Sequence, residues 1–164
     1  MLLKVSDEPI FFVDAMLGNI AKKLRLIGYD SKYFSDIDDE KLINIARNEN
    51  RIIISKDQEL IKKTQKLRLN SIHITKNEEI EQLLEIITRV NLKGIQIDGN
   101  TARCPKCNSL TKPIDRNSIK ERIPQGVFNS NEKFWKCEYC NKFYWEGTHI
   151  KNLQKFVGNV NEKL

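Results

Sequence analysis

Four cysteines form the clearest chemical pattern in this sequence, because they come in two pairs of identical spacing. Cys104 pairs with Cys107 and Cys137 pairs with Cys140, each as C-x-x-C, and an Asn follows both pairs. Each such turn places two thiolates on the same side, so the two pairs together suit a tetrahedral zinc site. A redox C-x-x-C is the alternative, but neither pair begins a thioredoxin-like βαβ unit. Four sulfurs leave no open position on the metal, which predicts a structural zinc ion.

Acids at the ends of apolar runs form a second set of candidate ligands. Asp14 and Asp57 each follow a run that predicts a buried strand and precede a helical pattern, while Asp38 and Asp39 begin another helix. Since the carboxyl ends of parallel strands meet at one edge of a sheet, we expect these acids to converge there. Carboxylate oxygens suit Mg²⁺ or Mn²⁺, and such a site supports phosphodiester hydrolysis. The alternative is that the acids only cap helices and complement their dipoles.

The elements that must position these acids alternate between strand and helix through residue 90. Short apolar runs predict strands at residues 10–13, 31–34, 51–54 and 71–75. Apolar residues at helical spacing predict helices at residues 14–28, 39–49, 58–66 and 77–90, the first of which should stop at Gly28. This alternation indicates a three-layer α/β domain with a parallel sheet.

The composition changes near residue 100. Residues 92–100 predict a connector with one short strand, and short strands are expected around the second cysteine pair. The segment from Thr148 predicts a closing helix. We therefore expect an α/β domain over residues 1–99 and a zinc-ribbon module with a C-terminal helix over residues 100–164.

The positive charge of the chain is concentrated in its last part. Residues 1–99 hold 16 Lys and Arg against 16 Asp and Glu, whereas residues 100–164 hold 12 against 6. A basic module is compatible with binding to a phosphate backbone, although a modest surplus also serves solubility. No apolar run of membrane-spanning length occurs and no signal peptide is recognisable, so we expect a cytoplasmic protein with no membrane association.

Four motifs in order resemble the Mut-seven C-terminal RNase domain, a branch of the PIN-like nucleases. They are FFVDAMLGNIAKKLRLIGYD, DDEKLINIA, RIIISKDQEL, and the two C-x-x-C pairs followed by YWEGTH. The resemblance covers roughly residues 10–153. It implies a PIN-like Rossmannoid fold with a zinc ribbon, and a ribonuclease that depends on a divalent metal and leaves a 5′-phosphate and a 3′-hydroxyl.

The resemblance also implies site residues. The family's first acid falls on Asp14, its helix-start acid on Asp39 with Asp38 as the alternative, and the acid of its T-x-D motif on Asp57. Ser55 replaces the usual Thr of that motif and keeps a hydroxyl. Glu59 is the candidate for a fourth acid, which decides between one metal ion and two.

Basic and aromatic residues supply candidate RNA contacts. Lys22 and Arg25 lie on the helix beside Asp14, within reach of a phosphate, although a solvated helix face is the alternative. Lys136 and Trp145 belong to a stretch where lysines interleave with aromatic residues, a composition suited either to stacking on unpaired bases or to a small aromatic core.

His149 follows the WEG turn, where the family also has a His. Substrate orientation, proton transfer and a structural hydrogen bond are the roles open to it. The rival to a ribonuclease is a non-catalytic RNA-binding adapter with a zinc ribbon, in which the acids are only helix caps.

Overall fold

Four parallel strands form the main sheet of the structure, a computed structural model that describes residues 8–164. The strands are β1 (Phe11–Val13), β2 (Ser31–Tyr33), β3 (Ile52–Ser55) and β4 (Ser71–His73), and their order in the sheet is β2-β1-β3-β4. The chain runs from β1 to one edge and then crosses to β3, so the strand order reverses between β1 and β3. In open α/β sheets the crevice for a ligand lies at such a switch point.

Helices cover both faces of this sheet, as the sequence predicted. They are α1 (Gly18–Ile27), α2 (Asp39–Glu49), α3 (Gln58–Lys66) and α4 (Glu79–Arg89), with α5 (Gln125–Ser130) and α6 (Thr148–Asn161) later in the chain. A short 3-10 helix, Ala15–Leu17, lies between β1 and α1. Gly28 ends α1 in the left-handed region, with φ of 112°, where a glycine meets no steric penalty.

Two apolar cores, one on each face of the sheet, confirm the three-layer architecture. Side chains alternate along a strand, so Phe11 and Val13 pack on the face covered by α1 and α4. Phe12 and Ile53 instead pack on the other face, with side chains of α2 and α3 such as Leu42.

The last helix joins the first of these cores. Val157 and Val160 of α6 are buried and belong to the cluster formed by α1, α4 and the sheet. The sequence placed this helix with the module of residues 100–164, but its apolar side packs against the main sheet domain. The boundary at residue 99 remains a prediction.

The short strand expected in residues 92–100 is wrong, since this segment forms no strand. Its backbone is satisfied by a side chain instead: the Asn161 amide binds both the N–H and the carbonyl of Ile95, at 3.0 and 2.7 Å. Ile95 is buried in the main core. The apolar residues that suggested a strand thus pack as an irregular connector held by α6.

A second, antiparallel sheet carries the cysteines. It contains β5 (Thr111–Ile114), β6 (Phe134–Cys137) and β7 (Phe143–Tyr144), in the order β5-β6-β7. The strands around the second cysteine pair were predicted, whereas β5 and α5 were not. Pro113 concealed β5, because proline is tolerated in a sheet mainly on an edge strand, and β5 is an edge. We refer to residues 100–147 as the ribbon.

Candidate functional site

Ser55 joins the two acids that end neighbouring strands. Its hydroxyl donates to Asp14 Oδ2 at 2.6 Å and accepts the backbone N–H of Asp57 at 2.9 Å. Ser55 is fully buried, Asp14 is half-buried and Asp57 is exposed. The pairing of Val13 with Ile54 in parallel register brings the two strand ends side by side. Asp14 and Asp57 therefore flank one buried hydroxyl at the switch point of the sheet.

Both acids also cap the helices that follow them. Asp14 Oδ1 accepts the N–H of Ala15 at 2.7 Å, and Asp57 Oδ1 accepts those of Glu59 and Leu60 at 2.8 and 3.3 Å. A carboxylate has about four acceptor positions, so each keeps spare capacity. Asp57 Oδ2 accepts no hydrogen bond within residues 8–164.

The two acids at the start of α2 have different contacts: Asp38 caps the helix, whereas Asp39 lies near a lysine. Asp38 is the N-cap of α2 and accepts the N–H of Lys41 at 2.9 Å, and this hydrogen bond lowers the pKa of the Asp38 carboxyl. Asp39 begins α2, and its Oδ2 lies 3.7 Å from the Nζ of Lys63. Glu59 is exposed and pairs with Lys62 at 2.9 Å.

In the described part of the chain, the acids do not form a cluster of three or more metal-ligating side chains. The four cysteines do form such a cluster. The donor chemistry of Asp14 and Asp57 nevertheless fits a hard cation, because both offer carboxylate oxygens with free acceptor positions at one sheet edge. Asp39 would have to leave Lys63 to join them.

Two exposed apolar side chains border this edge. Met16 follows Asp14 in the 3-10 helix and is 74% exposed, and Phe34 follows β2 and is 48% exposed. Val13 pairs with Tyr33, so Asp14 and Phe34 occupy the next positions of the two strands. The edge thus offers apolar surface beside the half-buried acid.

The four cysteines converge as the sequence predicted. Their sulfur atoms all lie within 4.8 Å of one another and none is in a disulfide. Cys104 and Cys140 sulfurs are 4.0 Å apart, and those of Cys107 and Cys137 are 3.4 Å apart. A tetrahedral site with Zn–S bonds of about 2.3 Å requires S–S separations of about 3.8 Å. The cluster is therefore consistent with zinc and closes a zinc-ribbon fold.

The Asn that follows each cysteine pair has a conformational reason. Asn108 and Asn141 both adopt the left-handed region, with φ of 71° and 57°, which Asn tolerates better than most residues. Their N–H groups bond back to the carbonyls of Cys104 and Cys137 at 2.8 and 3.1 Å. The two asparagines that follow the C-x-x-C pairs in the sequence thus close the two cysteine turns.

Asn108 also fastens the ribbon to the main sheet. Its side-chain oxygen accepts the N–H of Ser31 at 2.9 Å and its amide donates to Asp30 Oδ1 at 2.7 Å. Arg51, which is buried, donates to the same Asp30 oxygen at 2.6 Å. Burial would raise the pKa of Asp30, but the hydrogen bonds from Arg51 and Asn108 lower it below its ordinary value.

Arg25 does not face solvent, contrary to the expectation that it reaches RNA. It is only 5% exposed, and its guanidinium donates to the carbonyls of Ser31 and Pro105, both at 2.8 Å. These acceptors come from β2 and from the first cysteine turn. Arg25 therefore holds the ribbon against the sheet domain, and burial lowers its pKa.

The other candidate RNA contacts are spread over the surface. Lys22 and His149 are exposed, and both line a groove between α1 and the ribbon together with the half-buried Trp145. Lys136 lies in β6, outside this groove. Lys106 and Lys142 also line the groove. The sequence indicated Lys142 only as one of the lysines interleaved with aromatic residues, and it gave no indication of Lys106, because a lysine between two cysteines carries no local signal of a shared surface.

The fold and the cysteine cluster together define a class of protein with a parallel α/β domain followed by a zinc ribbon. Comparison with protein families gives a match to the Mut7-C RNAse domain over residues 9–157. The chain belongs to this family, as its motifs indicated. No curated protein and no solved structure matches the chain. Family membership supports a nuclease-type function.

No helix within residues 8–164 has both the length and the apolar character needed to span a membrane.

Proposed function

We propose that this protein is a divalent-metal-dependent ribonuclease that hydrolyses RNA phosphodiester bonds. The observation that carries the proposal is the pair Asp14 and Asp57, which leave neighbouring parallel strands at the switch point and flank the buried Ser55 hydroxyl. Family membership supplies the reaction class. Asp39 is the proposed third acid, since it begins the helix that packs on β1.

Each residue has a distinct part in this proposal. Asp14, Asp57 and Asp39 would hold Mg²⁺ or Mn²⁺, which would supply positive charge for the phosphate and promote ionisation of water. Ser55 orients Asp14 by donating a hydrogen bond, so the carboxylate is already placed before a ligand arrives. Hydrolysis should leave a 5′-phosphate and a 3′-hydroxyl.

We further propose that the four cysteines bind one structural zinc ion. The Tyr144 hydroxyl lies 2.9 Å from the Cys104 sulfur and the Cys140 N–H lies 3.3 Å from the Cys137 sulfur. Such hydrogen bonds stabilise thiolates that ligate a metal. The zinc would maintain the ribbon, with no direct part in catalysis.

A cleavage assay tests the main proposal. End-labelled RNAs are incubated with the protein, with and without Mn²⁺. Zinc content is measured in the same samples, so that loss of zinc from the ribbon is not mistaken for loss of the catalytic metal. We expect cleavage only with the added cation. An Asp14→Asn preparation purified in parallel that cleaves as well as the native protein would overturn the proposal.

A non-catalytic RNA-binding adapter is the second candidate function. Helix-cap hydrogen bonds at Asp14, Asp38 and Asp57 favour it, as does the lack of an acidic metal cluster among residues 8–164. This candidate predicts RNA binding without cleavage at any Mn²⁺ concentration. It also predicts that Asp14→Asn leaves Mn²⁺ binding unchanged, because Asn caps a helix about as well as Asp.

A further inference from the structure

A groove of about 820 Å³ lies between α1, the ribbon and the first turn of α6. Its wall contains five lysine and arginine side chains and no Asp or Glu. They are Lys22, Lys23, Arg25, Lys106 and Lys142. Acids are common elsewhere in the chain, with 22 in 164 residues. The groove is therefore a locally positive surface to which both structural units contribute.

Three of these cations are free to meet a ligand. Arg25 is buried against backbone carbonyls, and Lys23 pairs with Glu79 at 2.6 Å. By contrast, Lys22, Lys106 and Lys142 are exposed and form no ion pair in the described part of the chain. Lys22 lies on α1, whereas the other two lie on the two cysteine turns of the ribbon, so anionic groups in the groove would meet charges from both walls.

Aromatic side chains fill the space between these charges. Tyr33, Phe143, Tyr144 and Trp145 line the groove and are half-buried. Aromatic faces interleaved with lysines suit unpaired bases on a phosphate chain, since every base presents a face for stacking. In an A-form duplex the bases are stacked on each other and expose only their edges. The lining thus favours a single strand over a duplex.

Tyr33 links the lining of the groove to the acidic edge of the sheet. Tyr33 lines the groove and donates from its hydroxyl to the carbonyl of Ala15 at 3.1 Å. Ala15 directly follows Asp14. Asn19, in the first turn of α1, also lines the groove. A chain lying in the groove would consequently leave it beside Asp14.

We propose that this groove binds the single-stranded RNA that flanks the scissile bond, with Lys22, Lys106 and Lys142 contacting its phosphates. The ribbon then forms one wall of the substrate site in addition to being stabilised by its metal. His149 is exposed in the first turn of α6, which also lines the groove, so it can contact the RNA backbone there. The inference that this RNA is the substrate depends on the proposed ribonuclease function, whereas binding itself does not.

The test measures RNA binding without cleavage, in the Asp14→Asn protein. Lys22, Lys106 and Lys142 are changed together to Gln, and the matched control changes Lys66, Lys133 and Lys163, three exposed lysines outside the groove, to Gln. For single-strand binding, each lost phosphate contact reduces the steepness of log K against the logarithm of the salt concentration (the salt slope) by about 0.7. It also reduces affinity at 0.1 M salt by a factor of about five. We expect the groove triple to lower the slope by about 2 and affinity about a hundredfold, and the control to change neither appreciably.

Other outcomes separate the alternatives. Equal losses in both triples would show that only net charge matters and would overturn the proposal, as would tighter binding of a duplex of the same sequence or equally tight binding of polyglutamate. Circular dichroism and zinc content establish that both triples are folded. Loss of binding in the groove triple, together with a native protein that does not cleave RNA, would retain the groove and reject the ribonuclease. Unchanged binding in the groove triple, together with cleavage by the native protein, would reject the groove and retain the ribonuclease.

Discussion

The Ser55 hydroxyl donates to Asp14 Oδ2 at 2.6 Å and also accepts the N–H of Asp57. This one buried hydroxyl connects the ends of β1 and β3 on either side of the switch point. It gives the substitution of Ser for the family's usual Thr a physical meaning, since the hydroxyl is the group that both neighbours use.

Ser55→Ala should lower both stability and cleavage. It leaves the N–H of Asp57 without its acceptor and removes the donor to Asp14, at a cost of about 1–3 kcal/mol in the free energy of unfolding. Cleavage should fall more than RNA binding, because Asp14 loses its orientation. Denaturant unfolding and single-turnover cleavage measure the two effects. Ser55→Thr is the control and should restore both; an inactive Thr variant with native stability would contradict an orienting role for the hydroxyl.

Asp14→Asn should abolish metal-dependent cleavage with little change in stability. Asn can still accept from Ala15 and can donate to Ser55, so we expect a change within about 1 kcal/mol in the free energy of unfolding. Cleavage should fall at least about 100-fold, and Mn²⁺ affinity measured by calorimetry should fall as well. Asp38→Asn is the neighbouring control, because Asp38 is an exposed cap. Unchanged Mn²⁺ binding by Asp14→Asn would assign the metal to other ligands.

Removal of zinc should disturb more than the ribbon. Structural zinc contributes about 10 kcal/mol or more in small peptides, so Cys104→Ser should unfold the cysteine turns. Because Asn108 and the Pro105 carbonyl bind Ser31 and Arg25, hydrogen exchange should rise in β2 as well as in residues 100–147. Metal analysis should give about one zinc per chain in the native protein. A metal-free protein with a Cys104 to Cys107 disulfide would refute the zinc site.

The Asp30–Arg51 pair should make stability depend on pH in the acid range. The pKa of Asp30 is lowered in the folded protein, so its contribution is complete above the unfolded pKa of about 3.9 and is lost as the pH falls through the lower folded value. Asp30→Asn should cost about 1.5–3 kcal/mol near pH 7, since the partly buried Asp30 supplies charged hydrogen bonds while Arg51 keeps Glu49 as a second partner. The difference from the native protein should shrink below about pH 4.

The control for this prediction is Asp36→Asn, at an exposed acid with no ion pair within residues 8–164. Unfolding of all three proteins is followed across the acid range. A constant gap between the native and Asp30→Asn proteins down to about pH 2 would mean that folding does not lower the pKa of Asp30, and would contradict the prediction.

Gly99→Ala should loosen the contact between the connector and the ribbon. A Cβ at residue 99 would lie 2.3 Å from the ring of Trp135, which is 5% exposed. Overpacking of this kind costs about 1–3 kcal/mol, and the fluorescence of Trp135 should report its displacement. Gly126→Ala is the matched control, because no atom lies within 4 Å of its added Cβ; in α5 it should be neutral or stabilising by up to about 1 kcal/mol. Equal stability of the two variants would contradict tight packing at residue 99.

The local sequence determined the strands and helices of the main sheet to within a residue or two, except at the start of the first helix, where residues 15–17 form a 3-10 helix and α1 begins only at Gly18. Their apolar periodicity depends on neighbours a few positions apart, so it can be recognised without the fold. The sequence also placed Asp14 and Asp57 at strand ends. It placed the four cysteines at one site, because C-x-x-C turns impose their own geometry. The family motifs added the order in which these features occur.

Only the tertiary structure decided what the intervening residues do. Arg25 stands at a polar position of α1, yet it is buried because carbonyls of Ser31 and Pro105, the latter 80 positions away, satisfy its guanidinium. Val157 and Val160 of α6 pack on the first core. The sequence could not show this, since an apolar helix face can pack against any complementary apolar surface. The groove lysines come together only when the ribbon is docked. Contacts between distant segments depend on shape and hydrogen-bond partners in three dimensions, which local periodicity does not encode.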